Sequence, residues 1–571
     1  MRRLVLLVTI GILGFACAPS WVGDSQSSAP SGTAQDNRAV RMAIRYEPAD
    51  LAPKISSQSG GFAWKVPFNA YLALIDAKGD PQPYLAETLP QLNTPTWQVF
   101  PDGRMETTHR LRPNLTWQDG QPLTAEDFVF AWKVYTNPNL GVFSPIPQDK
   151  MDEVLAPDAR TLVIRWGSLY PDASSLTEAR DGSLEALPRH ILAEPFAEVV
   201  RDPAAKDRFL NLPYWTAEYV GAGPYRLESW EPGYQLTGVA FDGHVLGRSK
   251  IGRLIMRIYA DENVVLSTIV AGGTIDISTR FTLRFEHALV LKRQWEAAGH
   301  GTLDMGGGTA PVSIVFQFRP EFLKSPELLD VRVRRALAHA MDKEAIVEGL
   351  YEGVGDVPDT WVLRSEPYFS EVDRAITKYP YDPRRSDQLL QEAGLTRDRE
   401  GFFAGRSGER FAPPYLTTAN LLTTKANTIA VEAWRRAGID AQLSTLPAAL
   451  DRDLQARHTF PGIATIGTSS PDMFPSIEIG TPDKRWAGQN RGGWSHPEYD
   501  RLWAAYNSGL DRSERVRIMV GLARLVSDEV PGIMVYNGYY PTFAFVSSLK
   551  GPEVGSAGTQ NFWNIHEWEF R

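Results

Sequence analysis

Residues 97–133 read WQVFPDGRMETTHRLRPNLTWQDGQPLTAEDFVFAWK, and this stretch says most about the fold of the 571-residue chain. Asp102-Gly103 predicts a hairpin with a two-residue turn, because both central positions tolerate positive φ. Thr124, followed three residues later by Asp127, resembles a capping box with Asp in place of Glu and predicts a helix beginning near Ala125. One face of that helix carries apolar side chains: Phe128, Val129, Trp132 and Tyr135. The pattern fixes local structure and indicates no function.

The composition is that of a large globular protein, with 43% hydrophobic and 22% charged residues. A net charge of −9 and the lack of a Lys/Arg run argue against a nucleic-acid partner. The single cysteine excludes an internal disulfide or a cysteine-based zinc cluster, and the nine scattered histidines have no metal-ligand spacing. We therefore predict no metal site and no cofactor.

The N-terminus has the pattern of an export signal. Positive charge at Met1–Arg3 precedes the apolar run 4–15, which is shorter than the roughly 20 residues needed to span a bilayer. Cys17 follows directly, so residues 1–17 predict a lipoprotein signal peptide with the lipid on Cys17; an ordinary exported protein is the alternative. Residues 18–38 are rich in Ser, Gly and Pro and predict a flexible tether.

The order of residues from Thr108 to Phe130, T-x-R-L-R-x-x-L-x-W-x-D-G-x-P-L-T-A-E-D-F-V-F, resembles a signature of a known family. That family is the extracytoplasmic solute-binding proteins of ABC importers, in the peptide- and nickel-binding group (bacterial solute-binding protein family 5). Five further segments resemble the same family in order: Gly221–Gly233, Ile269–Ile277, Leu329–Ile346, Tyr381–Gly394 and Ala437–Asp440.

The resemblance implies an α/β fold: a two-lobed periplasmic-binding-protein clamshell of the class II type, with mixed sheets and an extra inserted domain. By the same resemblance the N-terminal lobe is discontinuous, comprising 39–65, 218–305 and 536–571. The inserted domain would cover 66–217 and the C-terminal lobe 306–535. Two apolar runs, 313–318 and 532–537, are predicted to be the interlobe crossings.

The function implied by the resemblance is that of an extracytoplasmic receptor that captures an oligopeptide-like or other polar solute by hinge closure. Its expected partners are the solute, the permease subunits of an ABC transporter and, through the N-terminal lipid, the membrane; we expect a monomer. No catalytic motif is complete in the sequence, so we predict no enzyme. A sensory or adhesive surface lipoprotein and an exported hydrolase are the alternatives.

The loop 466–473 is where the chain departs from the family. Peptide-binding members tend to carry an acid here that pairs with the ligand's α-amino group, whereas this chain has Thr468, Ser469 and Ser470, with Asp472 as the nearest acid. We predict that Ser469, Ser470 and Asp472 contact the ligand. If Asp472 cannot reach the cleft, a neutral oligosaccharide, a blocked peptide or another polar solute is favoured over a free peptide; an Asp472 that merely caps a helix is the alternative to a ligand contact.

Two further segments resemble parts of the family that face the cleft. Asn490 lies in a loop with Arg491, placed for a carboxylate, and Trp494, placed to stack on a ligand; surface and core positions are the alternatives for the last two. Near the second crossing we predict ligand contacts from a polar and aromatic group: Tyr536, Asn537, Tyr539 and Tyr540. Three arginines on a predicted helix are expected to form a solvated or salt-bridged face: Arg332, Arg334 and Arg335.

Overall fold

The structure is a computed structural model that describes residues 38–52, 62–140, 147–177, 183–305, 310–418, 420–447, 450, 453–539, 543–553 and 562–571. The predicted signal peptide and tether (1–37), Cys17 and Tyr540 lie outside these residues. Among the described residues, none of the helices has the length and apolar character needed to cross a membrane.

Short strands and helices alternate along the chain. The helices are α1 (Ala125–Tyr135), α2 (Arg189–Arg201), α3 (Lys206–Leu210), α4 (Glu262–Val270), α5 (Phe285–Leu291), α6 (Val331–Ala340), α7 (Lys343–Tyr351), α8 (Phe369–Ala375), α9 (Pro383–Glu392), α10 (Leu421–Arg436), α11 (Leu454–His458), α12 (Pro497–Ser508) and α13 (Arg512–Glu529). The strands are β1 (Ala39–Ile44), β2 (Ala73–Ile75), β3 (Pro81–Pro83), β4 (Trp97–Val99), β5 (Met105–Arg110), β6 (Met151–Asp158), β7 (Thr161–Trp166), β8 (Tyr225–Glu231), β9 (Gln235–Ala240), β10 (Arg253–Ile258), β11 (Ile277–Ser278), β12 (Gly301–Asp304), β13 (Val312–Phe316), β14 (Thr396–Arg397), β15 (Phe403–Ala404), β16 (Pro414–Thr417), β17 (Gln442–Thr445), β18 (Ile463–Thr468), β19 (Gly532–Tyr536), β20 (Phe543–Val546), β21 (Leu549–Lys550) and β22 (Glu569–Phe570).

A seven-stranded mixed sheet forms the N-terminal lobe, in the order β12-β20-β11-β1-β10-β9-β8. Strand β1 runs parallel to β10 and β11, and β20 lies antiparallel between β11 and β12. Alternate residues of β1 enter the core, where Val40, Met42 and Ile44 are completely buried. The sheet therefore joins three segments that are distant in sequence.

A five-stranded sheet forms the C-terminal lobe, in the order β17-β16-β18-β13-β19. Helices α6, α7, α9 and α10 supply one apolar cluster against it, and α8, α12 and α13 supply a second. Strand β13 pairs antiparallel with both β18 and β19. The two apolar runs predicted as crossings are thus adjacent strands of this sheet. The chain passes between the sheets beside them, after Asp304 and after Tyr536.

A third unit between the lobe segments contains the opening stretch of the sequence. Its four-stranded antiparallel sheet has the order β4-β5-β7-β6, and the predicted helix is α1. The Asp127 carboxylate accepts a hydrogen bond from the Thr124 backbone N–H at 2.8 Å, as one half of a capping box requires. The prediction of a two-residue turn was wrong. Only Gly103 in this loop has positive φ, and the Phe100 N–H donates to the Arg104 carbonyl, so the loop is longer than two residues.

The arginines of α6 also differ from expectation. Arg332 pairs with Asp330 at 2.6 Å on the surface, but Arg334 is only 3% exposed. Its guanidinium donates to four backbone carbonyls, those of Leu328, Leu329, Glu529 and Val530. These carbonyls lie at the C-terminal ends of a short helical turn and of α13, where carbonyls have no partner within the helix. The buried guanidinium supplies the hydrogen bonds that they would otherwise lack. Burial lowers the pKa of Arg334 to about 10.

Candidate functional site

The predicted site residues of two segments meet at one end of the five-stranded sheet. Val312, the first residue of β13, pairs with Thr468 on one side and with Tyr536 on the other. The next residue of the first segment, Ser469, donates its backbone N–H to the Pro311 carbonyl at 2.7 Å. Asn537 follows Tyr536 directly. This end of the sheet is also where the chain passes to and from the N-terminal lobe.

Two buried polar atoms at this end have no hydrogen-bond partner among the described residues. They are the Ser469 Oγ, on a residue that is 2% exposed, and the Asn537 Oδ1, on a residue that is 9% exposed. Leaving such a group unsatisfied costs about 1–3 kcal/mol. The neighbouring Tyr536 hydroxyl, by contrast, lies 3.0 Å from the Thr423 hydroxyl. Ser469 and Asn537 therefore present unused hydrogen-bonding capacity beside the crossing.

Asp472 is a half-buried acid in the same loop. It lies in the short helical turn Pro471–Met473, for which Ser470 is the N-cap residue. Burial, with a smaller contribution from the charge of Glu478, raises the pKa of Asp472. Within the described ranges its carboxylate accepts no hydrogen bond and makes no ion pair, so it does not cap a helix. A carboxylate held this way favours an incoming cation.

The loop Asn490–Trp494 lies at the opposite end of β13. The Phe318 N–H donates to the Gly492 carbonyl at 2.8 Å, just beyond the last residue of the strand. Four residue steps of about 3.3 Å separate the two ends of β13, or about 13 Å. The structure therefore does not bring this loop together with Ser469 and Asn537.

Asn490 and Trp494 are used in holding that loop. The Asn490 amide donates to the carbonyls of Phe474, Pro475 and Trp494 and accepts from the Gly493 N–H. Trp494 is 5% exposed and packs in the apolar cluster of α12 and α13. Asn490 therefore has no free amide atom, and Trp494 has no exposed ring, to support the predicted ligand contacts. The predicted contact from Arg491 stays a prediction.

An edge of the N-terminal lobe lies across the crossing. Phe543, the first residue of β20, comes directly after the crossing, and the adjacent strand β11 ends at Ser278. A turn follows in which the buried Thr279 hydroxyl donates to the Ala43 carbonyl at 2.8 Å. Phe281 in this turn has φ +70°, which is unusual for a bulky residue. Sequence reasoning missed this turn, for which only its two threonines gave any signal.

An aromatic cluster packs the two lobes together beside the crossing. Phe285 of the N-terminal lobe contacts Tyr351 of the C-terminal lobe edge to face, with ring centroids 4.9 Å apart. Tyr351 in turn contacts Tyr539 at 5.2 Å, and the Tyr539 hydroxyl accepts from the Asp356 N–H at 2.7 Å. Tyr539 was predicted as a ligand contact, and the structure shows its hydroxyl engaged with protein backbone.

The groups at this end of the sheet are the Ser469 hydroxyl and the Asn537 amide, and Asp472 lies three residues beyond Ser469 in the same loop. Such groups bind a polar molecule by hydrogen bonds and charge pairing. Among the described residues there is no group of three His, Cys, Asp or Glu side chains that could hold a metal ion. The groups are chemically suited to a polar solute, and their role as ligand contacts stays a prediction.

Comparisons with known proteins identify the family of the chain. The family model "Bacterial extracellular solute-binding proteins, family 5 Middle" matches residues 87–483. A Brucella ovis ABC transporter peptide-binding protein is 25% identical over 341 residues, an alignment that covers 59% of this chain and 56% of that protein. The oligopeptide-binding protein AppA of Bacillus subtilis is 20% identical, with 100% of this chain and 98% of that protein covered.

The fold is shared with solved structures of the same group. The oligopeptide-binding protein of Thermus thermophilus, solved with a pentapeptide, superposes with a TM-score of 0.68 at 22% identity, covering 94% of this chain and 96% of that one. The two-lobed architecture expected from the sequence is thereby confirmed. Because the family model matches well over half of the chain, the protein belongs to the bacterial extracellular solute-binding proteins of family 5.

Proposed function

We propose that the protein is the solute receptor of an ABC importer, which captures a peptide-like or other polar solute between its lobes and delivers it unaltered to a permease. The observation that carries this proposal is the pair of buried polar atoms Ser469 Oγ and Asn537 Oδ1, which have no hydrogen-bond partner among the described residues and lie at the end of the sheet beside the interlobe crossing. A solute shifts the balance between open and closed forms only through contacts that it makes preferentially in one of them. A set that lies beside the crossing is placed to make such contacts on closure.

Asp472 defines the class of solute within this proposal. An ammonium group that pairs with a half-buried carboxylate gains about 1.5–3 kcal/mol over a neutral group, which is about 10- to 150-fold in affinity. Ser469 and Asn537 offer hydrogen bonds to uncharged groups of the same solute. A short peptide with a free α-amino group satisfies both requirements, whereas a blocked peptide or an oligosaccharide leaves Asp472 unpaired.

The test is a matched pair of probes, trialanine and N-acetyl-trialanine, titrated calorimetrically into the purified protein after mild unfolding and refolding to remove trapped solute. We expect tighter binding of the free amine by at least about tenfold, and loss of that preference in Asp472→Asn. Asp483→Asn, an exposed acid in the same lobe, is the matched control. Equal affinity for both probes would contradict a role for Asp472, and binding of neither probe would contradict a peptide-like solute.

Export and anchoring complete the proposal. Family membership places the protein outside the cytoplasm, and the apolar run followed by Cys17 supports cleavage and lipid attachment at that cysteine. Intact-mass measurement of the mature protein from membranes is expected to show a diacylglyceryl-modified Cys17 at the N-terminus. An unmodified N-terminus beginning elsewhere would contradict lipid attachment.

A further inference from the structure

The tip between helices α12 and α13 contacts the inserted domain at a place distant in sequence from both crossings. Arg512, the first residue of α13, lies 3.0 Å from the Asp80 carboxylate in the β2–β3 hairpin. Arg515, one turn later, lies 3.3 Å from the Asp172 carboxylate. Between the helices, Leu510 packs against the apolar core that the inserted domain shares with the N-terminal lobe. Two ion pairs and an apolar contact thus join the C-terminal lobe to the inserted domain.

The tip is held rigidly on its own side. Asp511 caps α13 by accepting a hydrogen bond from the Glu514 N–H at 2.7 Å. The Arg515 guanidinium lies 4.6 Å from the centre of the Tyr506 ring, and its Nε is buried without a partner. Within the described ranges neither Arg512 nor Arg515 forms an ion pair with an acid of its own lobe. Both arginines therefore form their ion pairs with carboxylates of the inserted domain, although the charge of Arg512 also acts on Glu366 of its own lobe.

The tip contact complements the contact beside the crossing. There the lobes meet through Phe285 and Tyr351, and through the ion pair of Arg293 with Glu352 at 3.0 Å. Residues near a hinge stay close when two lobes rotate apart, but residues far from it separate. The pairs at the tip would therefore be lost on opening, and the Phe285–Tyr351 contact would persist.

We propose that Arg512 and Arg515 are closure residues, which pair with Asp80 and Asp172 to stabilise the closed form and so raise solute affinity without touching the solute. This inference rests on the proposed hinge-closing function. The Arg512 side chain is 70% accessible and the Arg515 side chain 23%, so both pairs reach solvent and salt screens them, the Arg512 pair more strongly. Together they are expected to change solute affinity by about 2- to 20-fold, since exposed pairs contribute modestly.

The test uses Arg512→Gln/Arg515→Gln and, as a matched control, Arg501→Gln/Arg524→Gln. The control arginines lie on the same two helices, but they pair with acids of their own helices, Glu498 and Asp528. Small-angle scattering of the solute-free proteins at low and high salt is the primary readout and needs no solute. The wild type and the control are expected to expand at high salt, and the closure variant to be expanded already at low salt.

A reversed pair, Asp80→Arg with Arg512→Asp, is expected to restore the compact low-salt form that either single change loses. Trialanine affinity, measured on the same proteins, is expected to fall about 2- to 20-fold in the closure variant alone. A closure variant with the wild-type radius of gyration and salt response would overturn the proposal. If trialanine fails to bind every protein, the solute class is wrong, and the scattering result still decides whether these residues govern closure.

Discussion

Replacing Asp472 with asparagine is expected to stabilise the solute-free protein and at the same time to weaken binding of an amine. The carboxylate is half-buried without a partner, and burial raises its pKa. A carboxylate with a folded pKa above its unfolded value binds more protons in the folded state, so its charge lowers stability at neutral pH and this deficit shrinks as the pH falls through the raised pKa. An unsatisfied buried polar group costs about 1–3 kcal/mol; with Asp472 partly exposed, we expect a gain of about 1 kcal/mol from asparagine.

The assay is urea unfolding of solute-free wild type and Asp472→Asn at neutral and mildly acidic pH, followed by trialanine titration. The stability gain should be largest at neutral pH and shrink on acidification, while trialanine affinity falls by about 10- to 150-fold. Asp500→Asn is an informative contrast, because the Asp500 carboxylate accepts hydrogen bonds from the backbone and hydroxyl of Ser476 and its loss should destabilise. Asp472→Asn that destabilises the solute-free protein, or that leaves affinity unchanged, would refute the reasoning.

Three further substitutions test the packing. Lys65→Met is expected to cost about 3–5 kcal/mol in urea unfolding, because it leaves Asp50 charged and buried, whereas Lys250→Met on the exposed pair with Glu569 should cost under about 1 kcal/mol. Burial lowers the pKa of His109 to about 4. Below pH 6.5 the unfolded chain binds a proton at His109 that the folded protein does not, so the free energy of unfolding falls as the pH drops from 6.5 toward 4. His109→Leu should flatten that pH dependence. Gly223→Ala places a Cβ 2.4 Å from the Asn69 backbone nitrogen and should lower the free energy of unfolding by about 1–3 kcal/mol in the same urea assay, with Gly467→Ala, which meets nothing within 4 Å, as the control.

Local features were predictable from the sequence because local residues decide them. Helix α1 begins after Thr124, as the capping pattern required, and its apolar face is buried apart from the partly exposed Trp132. The glycine pair 221 and 223 belongs to a segment that resembled the family, and the structure gives the reason: a side chain at either position would collide with the backbone at Phe68. The turn at Asp102 was less predictable, since the same dipeptide suits two loop lengths.

The candidate site was only half predictable, because strand register decides which residues meet. Ser469 and Asn537 are 68 positions apart in the numbering and come to the same end of the sheet only because their strands pair with opposite sides of β13. Asn490 looked equally polar in the sequence, yet its amide is used by the carbonyl of Trp494 in its own loop and by those of Phe474 and Pro475 in the preceding segment. The turn at Phe281 had no periodic pattern to reveal it, because its position follows from where β11 ends.

The placement of β20 has a consequence for how the protein matures. This strand comes from the last thirty or so residues of the chain, yet it lies between β11 and β12 in the seven-stranded sheet. The polypeptide emerges N-terminus first during export, so β11 and β12 must each wait, with one ladder incomplete, until the segment that carries β20 has been translocated. The five-stranded sheet, built from the continuous stretch 312–536, can assemble earlier. Loss of the segment that carries β20 would therefore damage the N-terminal lobe, although the first strand of that lobe, β1, is exported before the C-terminal lobe.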